Sequence, residues 1–264
     1  MYASPRFTEA SLLAIYENQA FTDLTEFEGW SYEKWRAGGG RSYHVAVEQV
    51  ALLRQYLQEG SRVLDVGCGT GSFVREARAE GFLAEGVEPS RMLADIAARV
   101  VGVPVAQCQI EQFRSPYPFD AIVIWDVLEH LYEPVRVVGR AAELLRPGGV
   151  LIAQVPHHRG LGNRIKSGLT RLGLRSGDFK HFGFPWHVYA FDRRSLTTLL
   201  AQADLRPFRF ESWPHQMKDG RQGLVAAGII RAARRWCLSD YITCVARKAA
   251  GVSPRLNQGG AGGL

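Results

Sequence analysis

The chain reads as a doubly wound α/β fold, with a mostly parallel seven-stranded sheet, helices on both faces and an antiparallel last strand. Three observations predict this. Between Arg62 and Val155, short β-type runs alternate with helical periods without a gap in the βαβ series. Several of the runs have no polar face, as befits strands covered on both sides. A glycine-rich turn, VLDVGCGTGSF from Val63 to Phe73, follows the first run and opens the first helix of the series.

The strands expected in that region are RVLDV at 62, LAEGV at 83, VAQC at 105, FDAIVI at 119 and VLIAQV at 150. Ser90 has the side chain to cap a helix whose Leu93, Ile96, Ala97 and Val100 recur at spacings of three and four. Pro134 suits the first turn of another helix, carrying Val137, Val138, Ala141, Leu144 and Leu145, and Pro147-Gly148-Gly149 should stop it. Beyond Val155 comes a Gly-rich, basic insert. Asp192 then caps a helix with Leu196, Leu199, Leu200 and Ala203. PFRFESW at 207 and YITCVAR at 241 supply the last two strands, with an Arg-rich helix near 223–236 between them. Three parts follow: an aromatic-rich N-terminal cap or lid over residues 1–45, a ligand-binding domain over 46–250 with its basic insert at 157–187, and a tail, 251–264, expected to be disordered.

The 264 residues are 46% apolar and 22% charged, the balance of a soluble globular protein. No run is long and apolar enough to span a bilayer and the start, MYASPRFTEA, lacks the apolar core of a secretion signal, so a cytoplasmic enzyme is expected. Cys68, Cys108, Cys237 and Cys244 form no CxxC pair and have no zinc-type histidine spacing, so they read as reduced and structural. The net charge of +6 is concentrated: between His157 and His187 lie Arg159, Arg164, Lys166, Arg171, Arg175 and Lys180 against Asp178 alone. A localised excess of this kind is a weaker sign of nucleic-acid binding than an evenly basic domain.

The glycine turn belongs to a ligand lying across the carboxyl ends of a parallel sheet, where Gly67, Gly69 and Gly71 let the backbone approach. Spacing separates two ligand classes. The dinucleotide fingerprint GxGxxG needs a third glycine where Ser72 stands, whereas these glycines read GxGxG. Asp65, just before the turn, would repel a pyrophosphate but attract the ammonium and sulfonium of S-adenosylmethionine. A nicotinamide-dependent oxidoreductase therefore lacks its glycine, while a non-catalytic adenosyl-binding module would carry the same motifs as an enzyme.

VLDVGCGTGSF, GVEPS at 86, FDAIVIWDVLEHL at 119 and LLRPGGVLIAQVP at 144 resemble, in this order, the successive motifs of class I S-adenosylmethionine-dependent methyltransferases. With PWHVYAFDRRSLTTLL at 185, the chain is similar to their type 11/12/23 subgroup over roughly residues 16 to 213. The resemblance implies S-adenosylmethionine as cofactor. It implies that Asp65, Gly67 and Gly69 hold the methionine end, with Cys68 and Gly71 in the same turn, and that Glu88, followed by Pro89, accepts the ribose hydroxyls. Gln109 stands where the family usually has an acid facing the adenine, with Ile110 against the ring, and Trp125 and Asp126 flank the methionine moiety. The tetrapeptide after the fourth strand, Asp126-Val127-Leu128-Glu129, is not the NPPY type of amino-directed DNA methyltransferases, and no Pro-Cys nucleophile follows it, so no nucleic-acid partner is expected.

Methyl transfer from a sulfonium needs an in-line approach above all, so positioning supplies much of the catalysis, and a hydroxyl acceptor gains from a base. His130 and His187 are the candidates; a structural LEH helix start is the plainer reading of His130. No metal requirement is read from the sequence, although Asp126, Glu129 and His130 resemble a divalent-cation site of some quinone-pathway methyltransferases. The insert 161–175 and LVAAGIIRAARRW write as amphipathic helices, with Arg164, Arg171 and Arg175 on one and Arg231, Arg234 and Arg235 on the other. Their plain reading is a pair of solvated lid faces. The functional one is contact with a small-molecule, glycan-linked or lipid-like acceptor, or with an anionic membrane surface. The sequence leaves the oligomeric state and the acceptor unnamed.

Overall fold

The computed structural model describes residues 8, 11, 14, 41–102, 105–172, 187–213 and 239–250. The Arg-rich stretch at 223–236, the tail and most of the aromatic N-terminal segment lie outside the described residues. Helix α1 (Arg41–Leu53) leads into strand β1 (Arg62–Val66), α2 (Ser72–Ala79), β2 (Leu83–Val87) and α3 (Arg91–Val101). Strand β3 (Phe119–Trp125), a single 3-10 turn (Leu128–His130), α4 (Pro134–Leu144) and β4 (Leu145–Pro156) follow. Then come α5 (Leu161–Arg171), α6 (Arg193–Ala201), β5 (Leu205–Trp213) and β6 (Tyr241–Lys248).

The six strands form one sheet in the order β2-β1-β3-β4-β6-β5. β1 pairs parallel with β2 and β3, β3 parallel with β4, and β6 antiparallel with both β4 and β5. The strand order reverses on either side of β1, so ligands are expected at its carboxyl end.

One expected strand is corrected. VAQC at 105 contributes a single parallel bridge, Val87 to Ala106, outside β2. Ala106 donates to Gly86 and accepts from Glu88, but Cys108 N then folds back onto the Ala106 carbonyl at 3.1 Å and ends the ladder. Among the described residues the sheet therefore has six regular strands and a seventh position held by one bridge.

Alternation along the strands divides the core. Leu64, Val66, Ile122, Ile124, Leu151 and Ala153 face a cluster that includes Val138 and Ala141 of α4 and Leu196 and Leu200 of α6. Their neighbours Val63, Ala121, Val123, Val150 and Ile152 face the opposite cluster, with Leu53 of α1 and Phe73, Val74 and Ala77 of α2. The period of two thus buries both faces, each under helices. The Ser90 side chain accepts from Leu93 N at the start of α3, Pro134 occupies the first turn of α4, and Asp192 with Ser195 makes a reciprocal capping box on α6. The Pro147-Gly148-Gly149 run lies inside β4, where the pairing register with β3 shifts, rather than in a separate loop. Helix α5 presents Leu161, Ile165 and Leu169 to solvent, with Leu172 just beyond it. No described helix is long and apolar enough to cross a membrane.

Candidate active site

β1 ends in the glycine turn, and the turn is fixed to the end of β2: Gly67 N and Cys68 N both donate to Val87 O, at 2.8 and 3.1 Å. Gly67 has φ 72° and a Cβ there would lie 2.6 Å from Val127 Cγ2, so only glycine lets the turn meet the segment after β3. Gly69, at φ 52°, is different: a Cβ would meet nothing within 4 Å. Its face is open, as a backbone cradle for a ligand must be.

Glu88 closes the turn from β2. Its Oε2 accepts from Gly69 N and its Oε1 from Ser90 N, each at 2.9 Å, so one carboxylate ties the turn to the start of α3. Asp65, the penultimate residue of β1, is only 3% exposed and its Oδ1 has no hydrogen-bond partner. Burial, and then the charge of Glu88, push the Asp65 carboxyl well above the usual carboxylate range. The Cys68 thiol is raised in the same way by burial and by both acids. This end of the sheet is thus built around buried acidic groups whose ionised forms cost free energy until a cation offsets them.

The second half of the site begins where β3 stops. Trp125 packs on Phe73 with ring centroids 5.7 Å apart, and its Nε1 is buried without a partner. Asp126 adopts φ 53°, unusual for a residue with a side chain. Its N–H donates to Gln154 O at 3.1 Å, and Gln154 Nε2 donates to its Oδ2 at 3.4 Å. Gln154 is held in turn by Thr243, whose Oγ1 donates to Gln154 Oε1 at 3.0 Å. Sequence reasoning missed Gln154 and Thr243. Their signal was one polar residue in each of two apolar strands, which must find partners where both faces are buried; β4 and β6 place the two opposite each other.

Glu129 is 1% exposed and neither carboxylate oxygen has a hydrogen-bond partner. Burial first, then Asp126, raise its carboxyl well above the ordinary value. His130 Nε2 lies 3.8 Å from Glu129 Oε1. His187 stands edge-on to His130 with centroids 4.8 Å apart. It is delivered there because Val188 N and Tyr189 N both donate to Glu129 O, at 2.7 and 3.1 Å. Glu129, His130 and His187 can each offer a ligand atom within 4.8 Å of the others. Asp126, grouped with Glu129 and His130 from the sequence, is not in this set. Of the remaining sequence-derived residues, Gly71 precedes α2 in a left-handed conformation, Pro89 and Gln109 are exposed, and Ile110 is buried in the core cluster beneath the sheet's first half.

A family model described as a methyltransferase domain, type 23, matches residues 35–208, more than half of the chain. The chain belongs to this methyltransferase domain family. Among curated relatives of this methyltransferase, the ubiquinone biosynthesis O-methyltransferase of Coxiella burnetii is 29% identical over 138 residues, covering 49% of this chain and 59% of that protein. The chain thus spans little more than half the length of the curated relative it matches. Magnesium protoporphyrin IX methyltransferase from Synechocystis PCC 6803, solved with bound S-adenosylhomocysteine, superposes with TM-score 0.58 at 17% identity, covering 91% of this chain and 99% of that one. The [4+2]-cyclase SpnF superposes with TM-score 0.57 at 21% identity, covering 90% and 97%. The fold alone therefore admits different chemistry, and the family assignment rests on sequence.

Proposed function

We propose that this methyltransferase transfers the methyl group of S-adenosylmethionine to an oxygen of a small-molecule or lipid- or glycan-linked acceptor. One observation carries the reading: the buried Asp65 carboxyl with an unpartnered oxygen, at the end of β1 under the open Gly69 cradle. A cationic ligand answers that charge, and a pyrophosphate aggravates it. S-adenosylmethionine, when bound, supplies an electrophilic methyl on a sulfonium. Asp65 and the Gly67–Gly69 backbone hold its methionine end. Glu88 accepts from the ribose hydroxyls, and the Thr243–Gln154 pair keeps Asp126 in its left-handed conformation beside the methionine moiety.

The acceptor approaches over the ends of β3 and β4, where the His130–His187 pair stands ready to take a hydroxyl proton as the acceptor oxygen attacks. Oxygen as the acceptor atom is supported by the name of the Coxiella relative. An amphiphilic acceptor, or contact with an anionic membrane surface, is supported by the exposed leucine and isoleucine stripe of α5 beside Arg164 and Arg171. Turnover of methyl-labelled cofactor with the full chain against a pool of hydroxylated acceptors tests the reading. Labelled product is expected with the native chain; cofactor binding without turnover on any acceptor points to a non-catalytic adenosyl module, and preference for NAD refutes the cofactor.

A second reading is favoured by the Glu129, His130 and His187 cluster, whose donor set of one carboxylate and two imidazoles suits a divalent cation. Such a cation would orient and acidify the acceptor hydroxyl in place of a histidine base. Metal analysis of the purified chain, with and without His187→Ala, separates the two: stoichiometric metal lost in the variant supports the cation, and metal-free active protein excludes it.

A further inference from the structure

Helix α5 is amphipathic with its apolar side turned away from the protein. Leu161, Ile165 and Leu169, with Leu172 just past its end, are 38 to 73% exposed. At helical spacing the four fall within an arc of about 80°. The opposite side faces the protein: Asn163 is 6% exposed, and its Nδ2 donates to His157 O at 3.0 Å. The base of the helix is fixed as well, because Gly160 sits so close to the chain entering β6 that a Cβ would lie 2.5 Å from Ser239 O. We infer that α5 docks this methyltransferase on an anionic lipid bilayer, with the leucine stripe set among the acyl chains just below the headgroups.

Charge selects the partner. Arg164 and Arg171 are exposed and fall on one flank of the apolar arc, about 100° from its centre, where long side chains can lie along lipid and keep their heads in water. No Asp or Glu occurs between residues 157 and 177, a stretch that also holds Arg159, Lys166 and Arg175. Anionic headgroups answer that charge and acyl chains answer the leucines, the two contributions that hold an interfacial helix. Nucleic acid would satisfy the arginines and leave the stripe in water. Position gives the docking a purpose. Strand β4, which leads into α5, runs parallel to β3 and through it to β1, so α5 stands at the edge of the sheet that carries the glycine turn. Bound there, the protein would take an acceptor directly from the membrane. For the acceptor's class this rests on the methyl-transfer reading; the docking itself does not.

The full chain is floated with vesicles of phosphatidylcholine alone and of phosphatidylcholine mixed with phosphatidylglycerol, at low and at high salt. Its S-adenosylmethionine affinity is measured by calorimetry alongside. Binding is expected on the anionic vesicles, severalfold weaker in high salt and weaker still on the neutral ones. Ile165→Asp/Leu169→Asp should weaken it about tenfold or more while cofactor affinity is unchanged. Arg164→Gln/Arg171→Gln, which keeps the stripe, should weaken it severalfold. Should the aspartate pair fail to fold, Ile165→Ser/Leu169→Ser must still weaken binding severalfold. No binding to anionic vesicles, or binding unaltered in a folded stripe variant, overturns the inference. So does a native chain that is dimeric without lipid and monomeric in the stripe variant, which would assign the stripe to a second copy. Vesicle binding by a chain with no affinity for S-adenosylmethionine would refute the methyl-transfer reading and leave the docking standing.

Discussion

Asp65→Asn should make the ligand-free protein more stable and its cofactor site worse, and the gap between the two proteins should depend on pH in a defined direction. In the folded chain Asp65 is buried beside Glu88 with one oxygen unpartnered, and its carboxyl holds its proton well above the usual carboxylate range. The unfolded chain releases that proton near 3.8, so between the two values the native state binds more protons and stability falls as pH rises. Asparagine has no proton to lose there. The variant should match the native chain at low pH and exceed it as pH climbs through the raised range. Glu129 titrates in the same sense in both proteins, so the difference between them isolates Asp65. A buried polar group left without a partner costs about 1 to 3 kcal/mol, more when it is charged, and about 1 kcal/mol moves the melting point of a chain near this size by roughly 2 to 4 °C. The ligand-free variant should therefore melt roughly 2 to 12 °C higher at pH 8. Losing a charged partner for the ligand's ammonium should weaken S-adenosylmethionine about tenfold to a hundredfold. Differential scanning fluorimetry across pH and isothermal titration measure the two effects. A variant no more stable at pH 8 than the native chain, or one that binds the cofactor equally well, refutes the reasoning.

Gly69→Ala should cost only about 1 to 2 kcal/mol of stability, the price of a side chain at φ 52°, because its Cβ meets no protein atom; cofactor affinity should fall further than the melting point implies. Gly86→Ala sets a Cβ 2.5 Å from Cys68 Sγ and 2.9 Å from Cys68 Cβ and should destabilise by about 1 to 3 kcal/mol in urea titration; Cys68→Ala on the same chain removes only the first contact and should recover only part of that loss. Thr243→Val removes the donor to buried Gln154 Oε1; it should cost about 1 to 3 kcal/mol in chemical denaturation and raise KM for the cofactor. His130→Ala should lower kcat about a hundredfold or more on a hydroxyl acceptor while cofactor affinity measured by calorimetry holds, and an unchanged kcat would make this histidine structural.

What could be read from the chain was what is written locally. RVLDV and LAEGV form β1 and β2 at their expected positions because short, mostly apolar runs bounded by glycine turns are local signals, and Ser90, Pro134 and Asp192 mark helix starts because caps are local chemistry. The glycine turn was legible for the same reason, and so was the acid at the end of β2. VAQC looked like a further strand, yet a carbonyl taken by Cys108 N leaves it one bridge, a competition between turn and ladder that composition does not record. The meeting of His130 with His187 was invisible: it depends on two backbone N–H groups after the insert reaching the Glu129 carbonyl, and backbone hydrogen bonds carry no residue signature.

The position of β6 has a consequence for how the protein is made. Its residues, 241–248, fill the slot between β4 and β5, bonding to both. During synthesis, β4 leaves the ribosome with one flank bare and β5 has no neighbour in the sheet until residues 241–248 have emerged. The nascent molecule therefore carries open strand edges until β6 is made, a state prone to pairing with other chains. A stop codon before Tyr241 should yield an insoluble product even though every residue of the glycine turn is present.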